Sequence, residues 1–148
     1  FAWLALQNRI WTAARLEKRG WANCGLCQLC KREQETGAHL FFKCRYTLRL
    51  SRSIIQKLGL AHMDTSNWHL ADSVNEWWDK RIDNQNPNRQ AMASLTMLVS
   101  WTIWNERNAR VFRHKCAPPP ILLNIILEEA KLWVTAGAKK LGLIILCE

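Results

Sequence analysis

Apolar residues in the first nineteen positions fall at helical spacing. Trp3, Leu4, Leu6, Ile10, Trp11, Ala14 and Leu16 recur along one side, with Arg9, Arg15, Lys18 and Arg19 between them. That pattern predicts an amphipathic helix over residues 1–19, with Gly20 as its stop. Residues 21–38 lose the period and predict a loop or small hairpin. Periodicity returns at His39. Leu40, Phe41, Leu48, Ile54, Ile55 and Leu58 share one side and Arg45, Arg49 and Arg52 another, which predicts a second helix to about Leu58, ended by Gly59. Asp64, Thr65 and Ser66 are cap residues ahead of a short helix from Trp68 to Lys80. Residues 83–88 are polar and predict a linker. Asn86-Pro87 then opens the longest helix, reaching about His114, with Met92, Leu95, Leu98, Val99, Thr102, Ile103 and Glu106 as its buried stripe. Pro118, Pro119 and Pro120 reset the chain before a last helix over Ile121 to Ala136, stopped at Gly137.

The loop at 21–38 changes the picture, because it concentrates the cysteines. Cys27-Gln28-Leu29-Cys30 places two thiolates at the spacing that lets one tight turn aim both sulfurs at a single ion. His39 and Cys44 form a second pair at the start of the second helix. The connecting loop is short, so closing it costs little entropy. Three sulfurs and one imidazole complete a tetrahedral shell with no open position, which is the mark of a structural zinc site. Cys24 makes an overlapping pair with Cys27, and spacing alone leaves open which pair binds. Cys116 and Cys147 are isolated, and His62, His69 and His114 have no partner at ligand spacing. The expected fold class is therefore mostly α, with a zinc-stapled N-terminal lobe holding a short loop or hairpin, followed by a helical C-terminal lobe. The expected division is 1–60, a connecting segment at 61–86, and 87–148. Because the helix at 87–114 carries no ligand, metal loss is expected to unfold residues 20–45 and to leave that helix largely formed.

Charge adds a partner class. Residues 1–60 hold eleven Lys and Arg against three Glu, whereas residues 61–148 hold ten against nine acidic residues. The basic excess coincides with the metal site, a combination that points to nucleic acid, RNA or DNA. Arg45, Arg49 and Arg52, at spacings of four and three, would form a phosphate-facing stripe fixed by the ion, with Lys31, Arg32 and Lys43 beside the ligands. Trp77-Trp78 and Trp101 with Trp104 are readable as stacking platforms or as core, with core favoured. Glu106-Arg107-Asn108-Ala109-Arg110 with Arg113 reads equally as a phosphate site or as a solvated helix face with local ion pairs. No apolar run spans a bilayer, and nothing suggests a small-molecule substrate. The cysteine usage implies a reducing, intracellular compartment, nucleus or cytoplasm.

These residues carry a resemblance. Cys27-Gln28-Leu29-Cys30, Glu35-Thr36, His39-Leu40-Phe41-Phe42 and Cys44, approached by Arg19-Gly20-Trp21, resemble the reverse-transcriptase zinc-binding domain. That domain lies downstream of the polymerase in plant LINE-type (non-LTR) retrotransposon polyproteins. Trp101-Thr102-Ile103-Trp104-Asn105-Glu106-Arg107-Asn108-Ala109-Arg110-Val111-Phe112 is similar to the helical segment that follows the finger there. The resemblance implies an accessory module, with the upstream polymerase as a further partner. The paired aspartates of a polymerase and the convergent carboxylates of an RNase H site are not found here, so no catalysis is expected of this chain. Beginning at Phe1, it reads as a fragment of a longer product. The alternative is a zinc-stabilised module that docks a protein partner.

Overall fold

The structure, a computed structural model, describes residues 4, 5, 7, 9–21, 23–60, 65–82 and 88–145. Trp3, Leu6, His62, Asp64, Asn86, Pro87, Cys147 and most of the expected linker lie outside the described residues. Of the helix expected over 1–19, the described residues contain α1 (Ala13–Lys18). It starts where Thr12 turns extended and its hydroxyl accepts from the Arg15 backbone N–H at 3.3 Å. Gly20 leaves it with φ +87°, a conformation that favours glycine.

The cysteine-rich stretch closes as a minimal hairpin. Leu26 and Gln34 form an isolated antiparallel bridge. Cys27 N–H donates to Glu33 C=O at 2.8 Å, and Glu35 N–H to Gly25 C=O at 2.9 Å. Among the described residues there is no other strand pairing.

The helix expected from His39 to Leu58 is split. His39–Lys43 form a single wide π-helical turn. Cys44 is extended, with φ −66° and ψ 138°, and α2 (Arg45–Lys57) begins after it. The ligand spacing explains the break. Residues five apart in a regular α-helix lie about 140° apart around its axis, too far for His39 and Cys44 to face one ion. A wider turn followed by an extended residue brings them to the same side. Such π-turns occur often at functional sites.

A 3-10 turn (Thr65–Leu70) and α3 (Val74–Arg81) replace the single helix expected over Trp68 to Lys80. Ser73 caps α3 by accepting from Glu76 N–H at 3.1 Å, a cap inside the expected span that divides it. Next come α4 (Arg89–Phe112), α5 (Pro119–Thr135), a 3-10 turn (Lys139–Leu141) and α6 (Gly142–Ile145). Pro119 and Pro120 start α5, where a missing N–H costs nothing.

One continuous apolar cluster joins these elements. Leu40, Phe41 and Phe42 of the π-turn, Leu50 and Ile54 of α2, Leu98 and Ile103 of α4, Leu122 and Ile126 of α5, and Ile144 of α6 all belong to it. Each fully buried side chain of this size contributes roughly 1.5–3 kcal/mol. Trp68, Trp77 and Trp78 lie in the same cluster, and Phe42 stacks on Trp77 with centroids 5.3 Å apart. These rings are core, not stacking platforms.

Candidate metal centre

Two backbone devices assemble the centre. In the first, the turn after Cys27 tightens until Lys31 N–H reaches Cys27 C=O at 2.8 Å, with Lys31 at φ +57°. Leu29 N–H lies 3.4 Å from Cys27 Sγ. The second is the π-turn, which delivers His39 and Cys44. Cys27 Sγ lies 3.9 Å from Cys44 Sγ, and Cys30 Sγ lies 3.3 Å from His39 Nε2. All four donor atoms fall within 4.8 Å of one another. Ordinary zinc–sulfur and zinc–nitrogen bonds in a tetrahedron place donors about 3.5–3.8 Å apart. The cluster is therefore the right size for one zinc ion, and its donors match the chemistry zinc prefers. Cys24 is exposed and outside the cluster, with Gln28 Nε2 at 3.8 Å as its neighbour. That resolves the register in favour of Cys27, Cys30, His39 and Cys44.

The electrostatics are those of thiols crowded away from water. The hydrogen bond with Cys44, and then burial, push Cys27 up to about 12. The same hydrogen bond, helped by the Thr47 and Tyr46 backbone, holds Cys44 below the usual thiol range. Burial opposes the His39 imidazolium, but hydrogen bonds and charge from Cys27 and Cys30 outweigh it and raise His39 to about 9. Low dielectric thus makes these groups share protons, and a divalent cation would displace them on binding. One zinc ion held by all four would staple the hairpin to the start of α2.

Charged side chains buttress the centre from two directions. His39 presents Nε2 to the cluster and Nδ1 to Glu33 Oε2 at 3.5 Å. That carboxylate is placed to orient the ring and to favour the tautomer with the proton on Nδ1. Glu33→Ala is expected to weaken zinc affinity by about ten-fold, the lower end for such partners, because Glu33 is 65% exposed. Competition with a chromophoric chelator measures it, and unchanged affinity would remove Glu33 from this role.

The second support comes from α4. Arg107 forks onto the buried Glu35 carboxylate, with Nη2 to Oε1 at 2.9 Å and Nε to Oε2 at 3.1 Å. Glu35 Oε1 also accepts from Ala13 N–H at 2.8 Å, and Arg107 Nη2 reaches Trp11 C=O at 3.3 Å. Arg110 Nη1 donates to the Gln28 and Leu29 carbonyls at 3.0 and 3.3 Å, between the first two metal ligands. Glu106 Oε2 accepts from Arg110 Nε at 2.7 Å and from Ala117 N–H at 3.0 Å. Tyr46 OH donates to Ala117 C=O at 2.6 Å. The 106–110 segment is therefore a brace for the cysteine hairpin, its cations spent on protein acceptors. Of the sequence reading of this segment, the local ion pair Glu106–Arg110 is present but the face is buried, not solvated, and nothing in the sequence connected Arg107 to Glu35.

The proposed phosphate contacts are placed differently. Arg45, Arg49 and Arg52 are exposed on one side of α2, opposite buried Thr47, Leu50 and Ile54. Arg52 Nε donates to Thr65 Oγ1 at 3.2 Å. Lys31 and Arg32 are exposed beside the ligands. Lys43 is half-buried, with its ammonium 5.5 Å from the Phe42 ring centre. No helix of the described residues is long and apolar enough to cross a membrane.

Residues 1–50 match the family model of zinc-binding in reverse transcriptase. The match contains all four ligands and ends within α2, and it supports a reverse-transcriptase zinc-binding domain in this part of the chain. No curated protein and no solved structure matches the chain.

Proposed function

We propose that this protein is the zinc-binding accessory module of a LINE-type retrotransposon reverse transcriptase and that it binds nucleic acid through a basic surface. The observation that carries the reading is the arginine stripe. Arg45, Arg49 and Arg52 stand exposed on the helix that Cys44 begins, and the first two lie within the residues that match a reverse-transcriptase family. A zinc ion would fix the angle of that helix, and the three guanidinium groups would contact successive phosphates without reading bases. The module would hold template or product for a polymerase located elsewhere and would perform no chemical step itself. Its closed ligand shell supports that division of labour.

Replacing Arg45, Arg49 and Arg52 together by Gln tests the reading. Affinity is expected to fall by a similar factor for every sequence tried. The log-affinity against log-salt slope should flatten by about two to three units, near one per lost contact. An unchanged slope would make the stripe a solvated face only.

A second reading has its own support. Ile121, Ile125 and Leu132 of α5 are 48%, 49% and 63% exposed, and their spacings of four and seven place them on one side of the helix. Such a stripe suits docking against a protein, for instance the polymerase. Apolar docking has little salt dependence, so the same titration separates the two.

A further inference from the structure

A second basic surface surrounds α1, and its features differ from those of the α2 stripe. Thr12, Arg15, Lys18, Arg19, Thr36 and Gly37 line an open hollow between α1 and the segment that leads into the π-turn. With Ala14 the lining numbers seven residues, of which three carry cationic heads and none a carboxylate. The Thr12 and Thr36 hydroxyls already accept from the Arg15 and His39 backbone N–H groups. Among the described residues no acidic group pairs with Lys18 or Arg19. Arg15 is partly engaged. Its Nη1 donates to Arg9 C=O, and its guanidinium lies 4.2 Å from the Trp11 ring centre. Trp11 is 48% exposed, whereas Trp68, Trp77 and Trp78 are buried in the core. A second ring, Trp21, is 69% exposed just past the other end of α1 in sequence.

We infer that this α1 surface binds single-stranded nucleic acid, with a backbone phosphate in the hollow and an unpaired base stacked on Trp11. The inference rests on the nucleic-acid reading above and names the form of nucleic acid. A concave site lined by three cations and no carboxylate suits one tetrahedral phosphate at a time. The large exposed indole decides between the forms. Only a single strand offers bases whose faces are free to stack, whereas a duplex presents its backbone and groove edges. Arg15 links the two halves of the site, because it lines the hollow and holds the Trp11 ring face. Stacking is sequence-tolerant, since every base has a π-face, which fits a module that must follow any template.

The test uses the zinc-loaded full chain with an end-labelled oligonucleotide, offered as a single strand and as the duplex with its complement. Trp11→Leu is expected to lower single-strand affinity about ten-fold and to leave duplex affinity unchanged, and Trp11→Phe should restore most of the loss. Lys18→Gln with Arg19→Gln should flatten the single-strand salt slope by about one to two units. Folding is checked by zinc stoichiometry. The Trp11 contact to Arg107 uses its backbone carbonyl, which every one of these substitutions keeps. If Trp11→Leu leaves single-strand affinity intact, or weakens both forms equally without rescue by Phe, the α1 site is wrong. Should the Arg45, Arg49 and Arg52 triple variant still flatten the slope in that case, the broader nucleic-acid reading survives. A wild-type protein that binds neither form with salt dependence overturns both.

Discussion

Removing zinc is expected to abolish hydrogen-exchange protection across residues 20–45 and to carry the loss into the C-terminal half of α4. Cys27 and Cys44 are fully buried, and the hairpin they anchor has a single bridge, Leu26 to Gln34. So small a hairpin is not stable alone. A structural zinc supplies on the order of 10–16 kcal/mol in small fingers, as much as the whole stability of a typical domain. The spread into α4 follows from the brace. Once the hairpin opens, Arg110 loses the Gln28 and Leu29 carbonyls and Arg107 loses Glu35. Two guanidinium groups packed for protein acceptors must then find water, and the helix around them has to loosen. The apolar N-terminal half of α4, with Ala91, Met92, Leu95 and Leu98 in the core, should hold. Cys44→Ser should reproduce the effect, while Cys24→Ser should retain one zinc per chain. Full protection at residues 105–112 after chelation would mean that the brace transmits nothing.

Much of this arrangement was legible before the fold was known. Zinc ligands obey spacing rules because a turn of fixed size must aim them, so Cys27, Cys30, His39 and Cys44 stood out locally, with the overlapping Cys24 left open until the fold placed it outside the cluster. Long helices with apolar stripes, such as the one expected to end near His114 and found as Arg89–Phe112, are equally local signals. The π-turn was not legible, since Leu40, Phe41 and Phe42 fit a regular helix as well as a wide one. Only the requirement that His39 and Cys44 face one ion distinguishes the two. The brace was hidden for another reason. Glu35 and Arg107 are 72 residues apart, and a charge seen alone in a sequence is taken for a solvated one. Trp11 likewise read as a member of an apolar helix face. Where Thr12 breaks the helix before Ala13, the ring is left outside the core.

The largest effect of a substitution outside the ligands is expected at Arg107. Its partner Glu35 is fully buried, and Arg107 itself is 5% exposed. The pair connects three segments through hydrogen bonds to Ala13 N–H, the Trp11 carbonyl and each other. Arg107→Met keeps length and helix propensity but leaves the carboxylate with one backbone donor. Breaking a buried ion pair from one side costs about 3–5 kcal/mol, because the remaining charge is stranded. For a chain of this size that lowers Tm by roughly 10 °C or more. Glu35→Gln alone should cost less, since the amide oxygen can still accept from Ala13 and Arg107, and the guanidinium keeps the Trp11 carbonyl. The double variant, Glu35→Gln with Arg107→Met, should recover part of the Arg107→Met loss, because no stranded charge remains. Thermal melts of the zinc-loaded protein close the cycle, and the coupling energy should lie within the 0.5–3 kcal/mol range of interacting neighbours. Strictly additive losses would show that Arg107 acts through its contact with the Trp104 ring, 4.8 Å from its guanidinium carbon, and not through Glu35.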